Sequence, residues 1–132
     1  MINDLLSVVV PCYNAGEWID RCVASITAQS YDRLEVILVD DGSTDGTPAL
    51  CDAWAARDGR VKVLHQTNSG SSAARENGLL ASQGEFVTFA DADDWVDTGM
   101  YEAMIGRMKS EKADIAVCGV ADAFAITPPV RC

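Results

Sequence analysis

The stretch EFVTFADADDW, residues 85–95, combines a short apolar run with a cluster of acids. Residues 86–89 are aromatic or β-branched, which favours a strand that is buried on both faces of a parallel sheet. Three aspartates follow within four positions, at Asp91, Asp93 and Asp94. This order predicts that the carboxylates lie just beyond the carboxyl end of a strand, where α/β sheets bind their ligands.

Asp91 and Asp93 are the candidate metal ligands. Alternate residues of an extended chain point the same way, so these two carboxylates repel each other unless a cation lies between them. Oxygen ligands without a histidine or thiolate partner suit Mg²⁺ or Mn²⁺. The alternative is an acidic helix N-terminus, with Asp94 or Asp97 as N-cap. We expect that role for Asp97, and metal binding for Asp91 and Asp93.

Length and charge restrict the class of protein. A chain of 132 residues forms one domain with a substantial core, and its net charge is −10. Nucleic acid is therefore not expected as a partner, because phosphate backbones are bound by clustered Lys and Arg. The sequence has no apolar run of the roughly 20 residues that a membrane span needs, and its N-terminus has no signal-peptide pattern. We expect a cytoplasmic location, with peripheral association at the inner face of the membrane as the alternative.

The five cysteines are widely spaced and include no CxxC pair. Cys22 and Cys51 fall at apolar positions of predicted helices and are interpreted as small hydrophobic residues. Cys12 follows a buried strand, where it can touch a ligand. His65, the single histidine, is interpreted as a structural residue or a contact at the pocket rim, and not as a catalytic base.

Apolar runs alternate with helical periodicity along the chain. Continuous apolar runs predict strands at residues 6–10, 34–39, 61–64, 86–89 and 115–118. The apolar spacing of residues 18–26 and of residues 101–108 predicts two helices. Another helix is predicted with Thr47 as its N-cap and Pro48 at its first helical position. A further helix is predicted to start at residue 71 or 72. Strands that are continuously apolar and alternate with helices predict an α/β fold with a parallel sheet.

Right-handed crossovers favour the strand order 3-2-1-4, a Rossmann-like arrangement in which the first and fourth strands are neighbours at the switch point. Ligands bind beyond the carboxyl ends of such strands. Three strand ends carry the polar candidates, which are Pro11, Tyr13 and Asn14 after the first strand, Asp40 and Asp41 after the second, and Asp91 and Asp93 after the fourth. We expect these residues to converge on one crevice.

The second strand runs into VDDGSTDGT, at the position where doubly wound folds place a carboxylate that binds a nucleoside. A carboxylate accepts hydrogen bonds from the imide N–H of uracil or from ribose hydroxyls. The alternative is an Asx turn that leads into a helix cap. We expect one of Asp40 and Asp41 to contact the nucleoside, while the other stabilises the turn.

Arg75 is predicted on the first turns of a helix whose start is rich in small residues. Free amides and a guanidinium together suit a diphosphate. The alternative for Arg75 is a surface salt bridge with Glu76 or Asp45. Asn68 and Gly70 precede this helix and are interpreted as loop residues that edge the pocket.

Four motifs, PCYNAGEWI, VDDGSTDGT, NSGSSAAREN and FADADDW, occur in this order. Together they closely resemble the nucleotide-sugar-binding half of family 2 glycosyltransferases with the GT-A fold, over residues 5–119. The resemblance implies a three-layer α/β/α sandwich with a mostly parallel sheet. It also divides the chain into a nucleotide-sugar-binding domain, residues 1–119, and a tail, residues 120–132, that is atypical for the family.

The resemblance implies a role for each motif. Pro11, Tyr13 and one of the two acids after the second strand surround a nucleoside, usually uridine. Arg75 lies near the diphosphate, and the DxD pair brings in Mg²⁺ or Mn²⁺. The candidate nucleotide-sugar-binding set is Pro11, Tyr13, Asn14, Asp40, Asp41, Asn68, Gly70, Arg75, Asp91 and Ala92, and the candidate metal ligands are Asp91 and Asp93.

The implied activity is metal-dependent, inverting transfer of a sugar from a nucleotide-diphosphate donor, a UDP-sugar, to an acceptor hydroxyl. The acceptor would be a glycan or a lipid-linked molecule in polysaccharide or cell-envelope glycan synthesis. The catalytic base of the resembling enzymes is expected downstream of residue 120, where this chain has no recognisable acceptor motif. We therefore expect a truncated member of the family, and the alternative function is a non-catalytic module that binds UDP and metal.

Other acidic α/β domains fit the sequence less well. Response-regulator receivers and haloacid-type phosphatases carry their acidic residues after the first strand, where this chain has Pro11, Cys12, Tyr13 and Asn14. Nucleotidyltransferases generally carry a Gly-rich loop with Arg or Lys at that place, and the sequence has none.

Overall fold

The computed structural model describes residues 1–112, in which strands and helices alternate. The elements are β1 (Ile2–Cys12), α1 (Ile19–Thr27), β2 (Leu34–Asp41), α2 (Thr47–Arg57), β3 (Val61–Gln66), α3 (Ser71–Ala81), β4 (Gly84–Phe89) and α4 (Met100–Glu111). The predicted strand at 115–118 and the predicted tail at 120–132 lie outside the described residues.

The four strands form one parallel sheet in the order β3-β2-β1-β4. β1 pairs with β2 on one side, where Cys12 is opposite Asp40, and with β4 on the other, where Val9 is opposite Phe89. The predicted order 3-2-1-4 is confirmed. Because all four strands run the same way, the segments that follow β1, β2 and β4 lie along one edge of the sheet.

Helices cover the sheet on two faces. The larger apolar cluster joins α1, α2 and α4 to one face and includes Val8, Val10, Val36, Leu38, Ile19, Cys22, Cys51, Trp54, Tyr101 and Ile105. The smaller cluster joins α3 to the other face and consists of Val9, Ile37, Val39 and Ala74. The predicted three-layer α/β/α sandwich is therefore confirmed, and Cys22 and Cys51 are small core residues as expected.

The close approach of α3 to the sheet depends on Gly78. A Cβ atom at this position would lie 2.3 Å from Cγ1 of Val9 and 3.2 Å from Cγ2 of Val39. Glycine costs a helix roughly 1 kcal/mol relative to alanine. The helix tolerates this cost here because a larger side chain would push α3 away from the sheet.

The burial of β4 differs from the prediction. Burial alternates along the strand, and Val87 and Phe89 are exposed. These two side chains lie on the same face as Ser7 and Val9, their partners in β1. α3 packs on β1 and β2 rather than on β4. The prediction of a strand buried on both faces is therefore wrong for β4 within residues 1–112, whereas the core of β1 and the whole of β2 are buried on both faces.

Two predicted helix caps are also wrong. Thr47 lies inside α2, and its hydroxyl accepts a hydrogen bond from the backbone N–H of Ala15. The carboxylate of Asp45 accepts from the N–H of Thr47 in its place. α4 begins at Met100 with Gly99 at the N-cap position, so the side chain of Asp97 caps nothing.

The described helices are short. The longest of them, α4, has 12 residues, whereas a membrane-spanning helix needs about 20 apolar residues. No helix within residues 1–112 is long and apolar enough to cross a bilayer.

Candidate functional site

An open cleft of about 340 Å³ lies at the carboxyl edge of the sheet. Its walls are the segment after β1, the end of β2, the first turns of α3 and the segment after β4. The lining residues are Pro11, Cys12, Tyr13, Asn14, Ala15, Trp18, Asp41, Ser71, Ala74, Arg75, Asp91, Ala92 and Asp93. Of the predicted site residues, only Asp40, Asn68 and Gly70 are absent from this lining.

The loop after β1 is bound to the loop after β2. Asn14 adopts a left-handed backbone, with φ of 49°, which asparagine tolerates better than most residues. Its N–H donates to the Ser43 hydroxyl at 3.1 Å, and its side-chain oxygen accepts from the N–H of Thr44 at 2.8 Å. Tyr13 beside it is 53% exposed and lines the cleft, so its side chain is accessible to a ligand.

Asp41 is the carboxylate that β2 contributes to the cleft. One of its oxygens accepts from the Gln66 amide at 2.9 Å and from the N–H of Ser69 at 2.7 Å, and the other accepts from the N–H of Gly70 at 3.0 Å. Burial alone would raise the pKa of this carboxyl, but these three donors outweigh burial and hold the pKa below its ordinary value. An ionised carboxylate has about four acceptor positions, and the fourth faces the Asn68 amide at 3.5 Å, a contact long enough for a ligand donor to replace.

Asp40 faces the opposite side of the sheet. One oxygen lies 2.8 Å from Nδ1 of His65, and the other accepts from the N–H of Ser43 at 3.1 Å. Burial again acts to raise its pKa, but Ser43 and His65 together lower the pKa below the ordinary value. The two acids that the sequence left as alternatives are thus distinguished, because only Asp41 lines the cleft.

Asn68 and Gly70 act on the cleft through Asp41. The Asn68 amide donates to the backbone carbonyl of Asp41 at 3.0 Å, and Gly70 donates to its carboxylate. The loop comes this close because of Gly42, which has φ of 71° and would place a Cβ 2.6 Å from the backbone nitrogen of Asn68. The two loop residues therefore orient the carboxylate rather than line the cleft.

Arg75 lies in the first half of α3 with its guanidinium at the cleft. Its Nη2 atom is 3.5 Å from Oδ1 of Asp91. The salt bridge that the sequence left open is thus present, but its partner is a candidate metal ligand rather than Glu76 or Asp45. A guanidinium at this place can bind an anion that enters the cleft.

The acids after β4 form a compact cluster. Carboxylate oxygens of Asp91, Asp93 and Asp94 all lie within 4.8 Å of one another, and all three residues are exposed. The loop that carries them contacts α1, since Cys22 Sγ lies 3.4 Å from the Asp91 carbonyl and Arg21 donates to the Asp93 carbonyl at 3.4 Å. The cluster is therefore held at a fixed place beside the cleft.

This donor set fits a hard divalent cation. The cluster offers carboxylate oxygens only, which suits Mg²⁺ or Mn²⁺ and does not suit softer metals. Its exposure leaves room for water and phosphate oxygens to complete the coordination shell. Asp91 and Asp93 also line the cleft, so a cation bound by them would face the ligand.

Sequence reasoning missed several residues of the cleft. The apolar spacing of the sequence places Trp18 in the first predicted helix, but α1 begins at Ile19, and Trp18 is 42% exposed and lines the cleft. The place of an aromatic residue directly before the helix was the available signal. Gln66 donates to the Asp41 carboxylate without lining the cleft. The sequence gives no signal for this contact, because it joins residues of two neighbouring strands.

The sheet and the cleft define a Rossmann-like α/β domain with an acidic, oxygen-rich site at the switch point of its strands. The chain belongs to glycosyl transferase family 2, whose family model matches residues 7–129. The resemblance of the four motifs to this family is confirmed, and the members of the family are glycosyltransferases.

Three individual proteins show the extent of the similarity. The glycosyltransferase GlyG of Streptococcus pneumoniae is 43% identical over 117 residues, which cover 88% of this chain and 39% of that protein. The crystal structure of S. aureus TarS in complex with UDP matches with a TM-score of 0.77 and 28% identity, over 90% of this chain and 38% of that chain. The mannosyltransferase PcManGT of Pyrobaculum calidifontis, in complex with GDP-Man and Mn²⁺, matches with a TM-score of 0.64 and 35% identity, over 68% of this chain and 28% of that chain.

The chain therefore spans about two fifths or less of the relatives to which it is similar. The two solved structures contain UDP in TarS, and GDP-Man with Mn²⁺ in PcManGT. They concern those proteins, and the ligand contacts of the residues in this cleft stay predictions.

Proposed function

We propose that the protein transfers a sugar from a UDP-sugar to an acceptor hydroxyl with the help of Mg²⁺ or Mn²⁺. One observation carries the proposal. The structure brings three different groups to one cleft, which are the carboxylate of Asp41, the guanidinium of Arg75, and the acidic pair Asp91 and Asp93. A nucleoside, a diphosphate and a cation are the chemical groups that match these three in turn.

The weakly occupied acceptor position of Asp41 supports uracil as the base. The carboxylate accepts three short hydrogen bonds from the protein and a fourth, at 3.5 Å, from the Asn68 amide, so a single ligand donor can take the place of the long contact. Uracil presents a single imide N–H between two carbonyls, whereas guanine presents two adjacent N–H donors. Tyr13 offers a half-exposed ring in the same cleft, and an aromatic face suits stacking on a base.

Arg75 and the acidic pair in the same cleft suit the departing diphosphate. Negative charge develops on the leaving phosphate when the bond to the anomeric carbon breaks, and fixed positive charge at that place lowers the barrier. Arg75 supplies one such charge. A bound Mg²⁺ or Mn²⁺ supplies the other, and Asp91 and Asp93 are the residues that would hold it.

The described residues, 1–112, do not include a candidate binding site for the sugar acceptor. Within residues 1–112, the acids that line the cleft are Asp41, Asp91 and Asp93, and each is assigned to the donor. In the proposed inverting reaction, a base must accept the proton of the acceptor hydroxyl. We propose that this base lies outside residues 1–112 and that the acceptor is a glycan or a lipid-linked molecule, as in polysaccharide or cell-envelope glycan synthesis.

The same observation favours a second candidate, a module that binds UDP and metal without catalysis. Two experiments distinguish the candidates. Calorimetric titration of UDP with and without Mn²⁺ tests binding, and release of UDP from a panel of UDP-sugars, with and without acceptor glycans, tests turnover. Metal-dependent binding with turnover supports the transferase, binding without turnover supports the module, and absence of UDP binding contradicts both.

A further inference from the structure

His65 lies between two carboxylates that belong to different elements. Its Nδ1 atom is 2.8 Å from Asp40 at the end of β2, and its Nε2 atom is 2.9 Å from Asp52 on α2. Asp40 is buried, whereas Asp52 is exposed. The two ring nitrogens therefore contact two very different partners, and the contact with Asp40 is the one shielded from water.

A chain of hydrogen bonds leads from His65 to the cleft. Asp40 accepts from the N–H of Ser43, and the Ser43 hydroxyl accepts from the N–H of Asn14. Asn14 lines the cleft in a left-handed conformation that these contacts help to maintain. Each link lies between 2.8 and 3.1 Å. The imidazole is thus connected to the cleft by hydrogen bonds through two intervening residues, although it does not line the cleft itself.

We propose that His65 is a positioning residue for nucleotide binding. Its Nδ1–H donates to Asp40, and Asp40 in turn fixes the loop after β2 against the loop after β1, which carries Tyr13 and Asn14. The inference rests on the proposed function, because it assigns His65 to the binding of the same UDP moiety.

The charges around His65 are consistent with this role. The elements packed against β3 are β2 and α2, and the titratable groups that they present to the imidazole are Asp40, Asp52 and the buried thiol of Cys51. An imidazole that donates from both nitrogens is an imidazolium. A neutral imidazole has one donor, and the buried carboxylate of Asp40 is the partner that loses most free energy if it is left without one.

Two amide variants separate the two contacts of the ring. In His65→Asn, the side-chain amide nitrogen takes the place of Nδ1, so the contact with Asp40 is kept and the contact with Asp52 is lost. In His65→Gln, the longer amide takes the place of Nε2, so the contact with Asp52 is kept and the contact with Asp40 is lost. His65→Ala removes both contacts, and Asp52→Asn removes only the charge of the exposed partner.

The experiment measures the affinity of each variant for UDP with Mn²⁺ by calorimetry, with thermal unfolding as the check that each variant is folded. We expect about fivefold weaker binding for His65→Ala and for His65→Gln, since both variants lose the hydrogen bond to the charged Asp40. His65→Asn and Asp52→Asn should bind UDP within about twofold of the wild type. UDP binding that is kept in His65→Asn but weakened in His65→Gln would depend on the contact with Asp40. A general loss of stability would not distinguish these two variants.

Two results would overturn the inference. One is unchanged UDP affinity in His65→Ala, and the other is equal loss in the asparagine and glutamine variants. Failure of the wild-type protein to bind UDP would overturn the proposed function and this inference with it. A wild type that binds UDP beside a His65→Ala variant that binds equally well would overturn the role of His65 alone.

Discussion

Arg75 and Asp91 face each other across the cleft, with Nη2 of the arginine 3.5 Å from Oδ1 of the aspartate. Both side chains are well exposed, at 42% and 61%, and an ion pair of this kind contributes little to stability. Each partner can therefore be redirected at small cost when a ligand enters. The relationship places an anion-binding group directly beside a candidate metal ligand, which is the arrangement that a metal diphosphate requires.

Replacement of Arg75 should weaken the binding of the diphosphate and spare the nucleoside. In Arg75→Gln, the affinity for UDP with Mn²⁺ should fall about tenfold, because a charge-assisted contact to phosphate is lost. The affinity for uridine should not change. Calorimetric titration of both ligands checks this expectation.

The matched control for this change is Arg57→Gln, which removes an exposed guanidinium that stacks on Trp54 and does not line the cleft. UDP should bind this control as it binds the wild type. A similar loss of uridine and UDP affinity in Arg75→Gln would contradict the assignment of Arg75 to the diphosphate.

Asp41 should matter more for nucleoside binding than its neighbour Asp40. In Asp41→Asn, an NH₂ group replaces an oxygen that accepts from the N–H of Ser69 or from that of Gly70, so the loop loses a partner as well as the ligand. We expect uridine affinity to fall by about tenfold or more in Asp41→Asn. Asp40→Asn should show a smaller loss, and the opposite ranking in a titration with uridine would refute the geometry described for the two acids.

The contact of α3 with the sheet predicts a destabilised variant. Gly78→Ala places a methyl group against Val9, and overpacking of this kind costs about 1–3 kcal/mol, partly offset by the better helix propensity of alanine. The free energy of unfolding, measured with urea, should fall by about 1 kcal/mol or more. Gly106→Ala in α4 is the control, because nothing lies within 4 Å of its new Cβ. Equal effects of the two substitutions would show that α3 does not depend on close contact at Gly78.

The stability of the protein should depend on pH through His65. Hydrogen bonds from His65 to Asp40 and Asp52 outweigh its partial burial and raise the pKa of the imidazole above its ordinary value near 6.5. A group whose pKa is raised by folding stabilises the fold fully below the unfolded pKa and loses this effect as the pH rises through the folded pKa. The stabilisation is moderate, because the ring is 45% exposed.

Unfolding by urea in wild type and His65→Asn checks this dependence from about pH 6 to about pH 9. The advantage of the wild type over the variant should be largest at the acidic end of this window and should shrink as the pH rises. A difference that is constant with pH, or that grows with it, would show that the imidazolium does not stabilise the fold.

Much of the fold follows from patterns that one sequence contains. The strands β1 and β2 are continuously apolar because helices cover both of their faces, and the right-handed crossover then restricts the order of strands. β4 shows the limit of this reasoning. An apolar run indicates a strand, but the cover over Val87 and Phe89 depends on where α3 packs, and the short run itself does not contain that information.

The candidate site, too, can be predicted from the sequence only in part. The spacing of Asp91 and Asp93 after a strand is enough to predict that their carboxylates are close together. Alternation does not explain the whole cluster, because the Asp94 N–H donates to the Asp91 carbonyl in a turn and Asp94 joins the two other acids.

Alternation requires Asp40 and Asp41 to face opposite sides of the sheet. Which of the two sides holds the cleft depends on the loop around Gly42 and on α3, and this is a tertiary relationship that no local pattern encodes.

The most direct test of the account is a calorimetric titration of UDP with and without Mn²⁺, in the wild type and in Asp93→Ala. Asp97→Ala is the control, because Asp97 lies outside the acidic cluster. We predict that the wild type and the control bind UDP only when Mn²⁺ is present, and that Asp93→Ala loses this binding while its thermal unfolding is unchanged. Equal UDP affinity of the wild type with and without the metal would contradict the account.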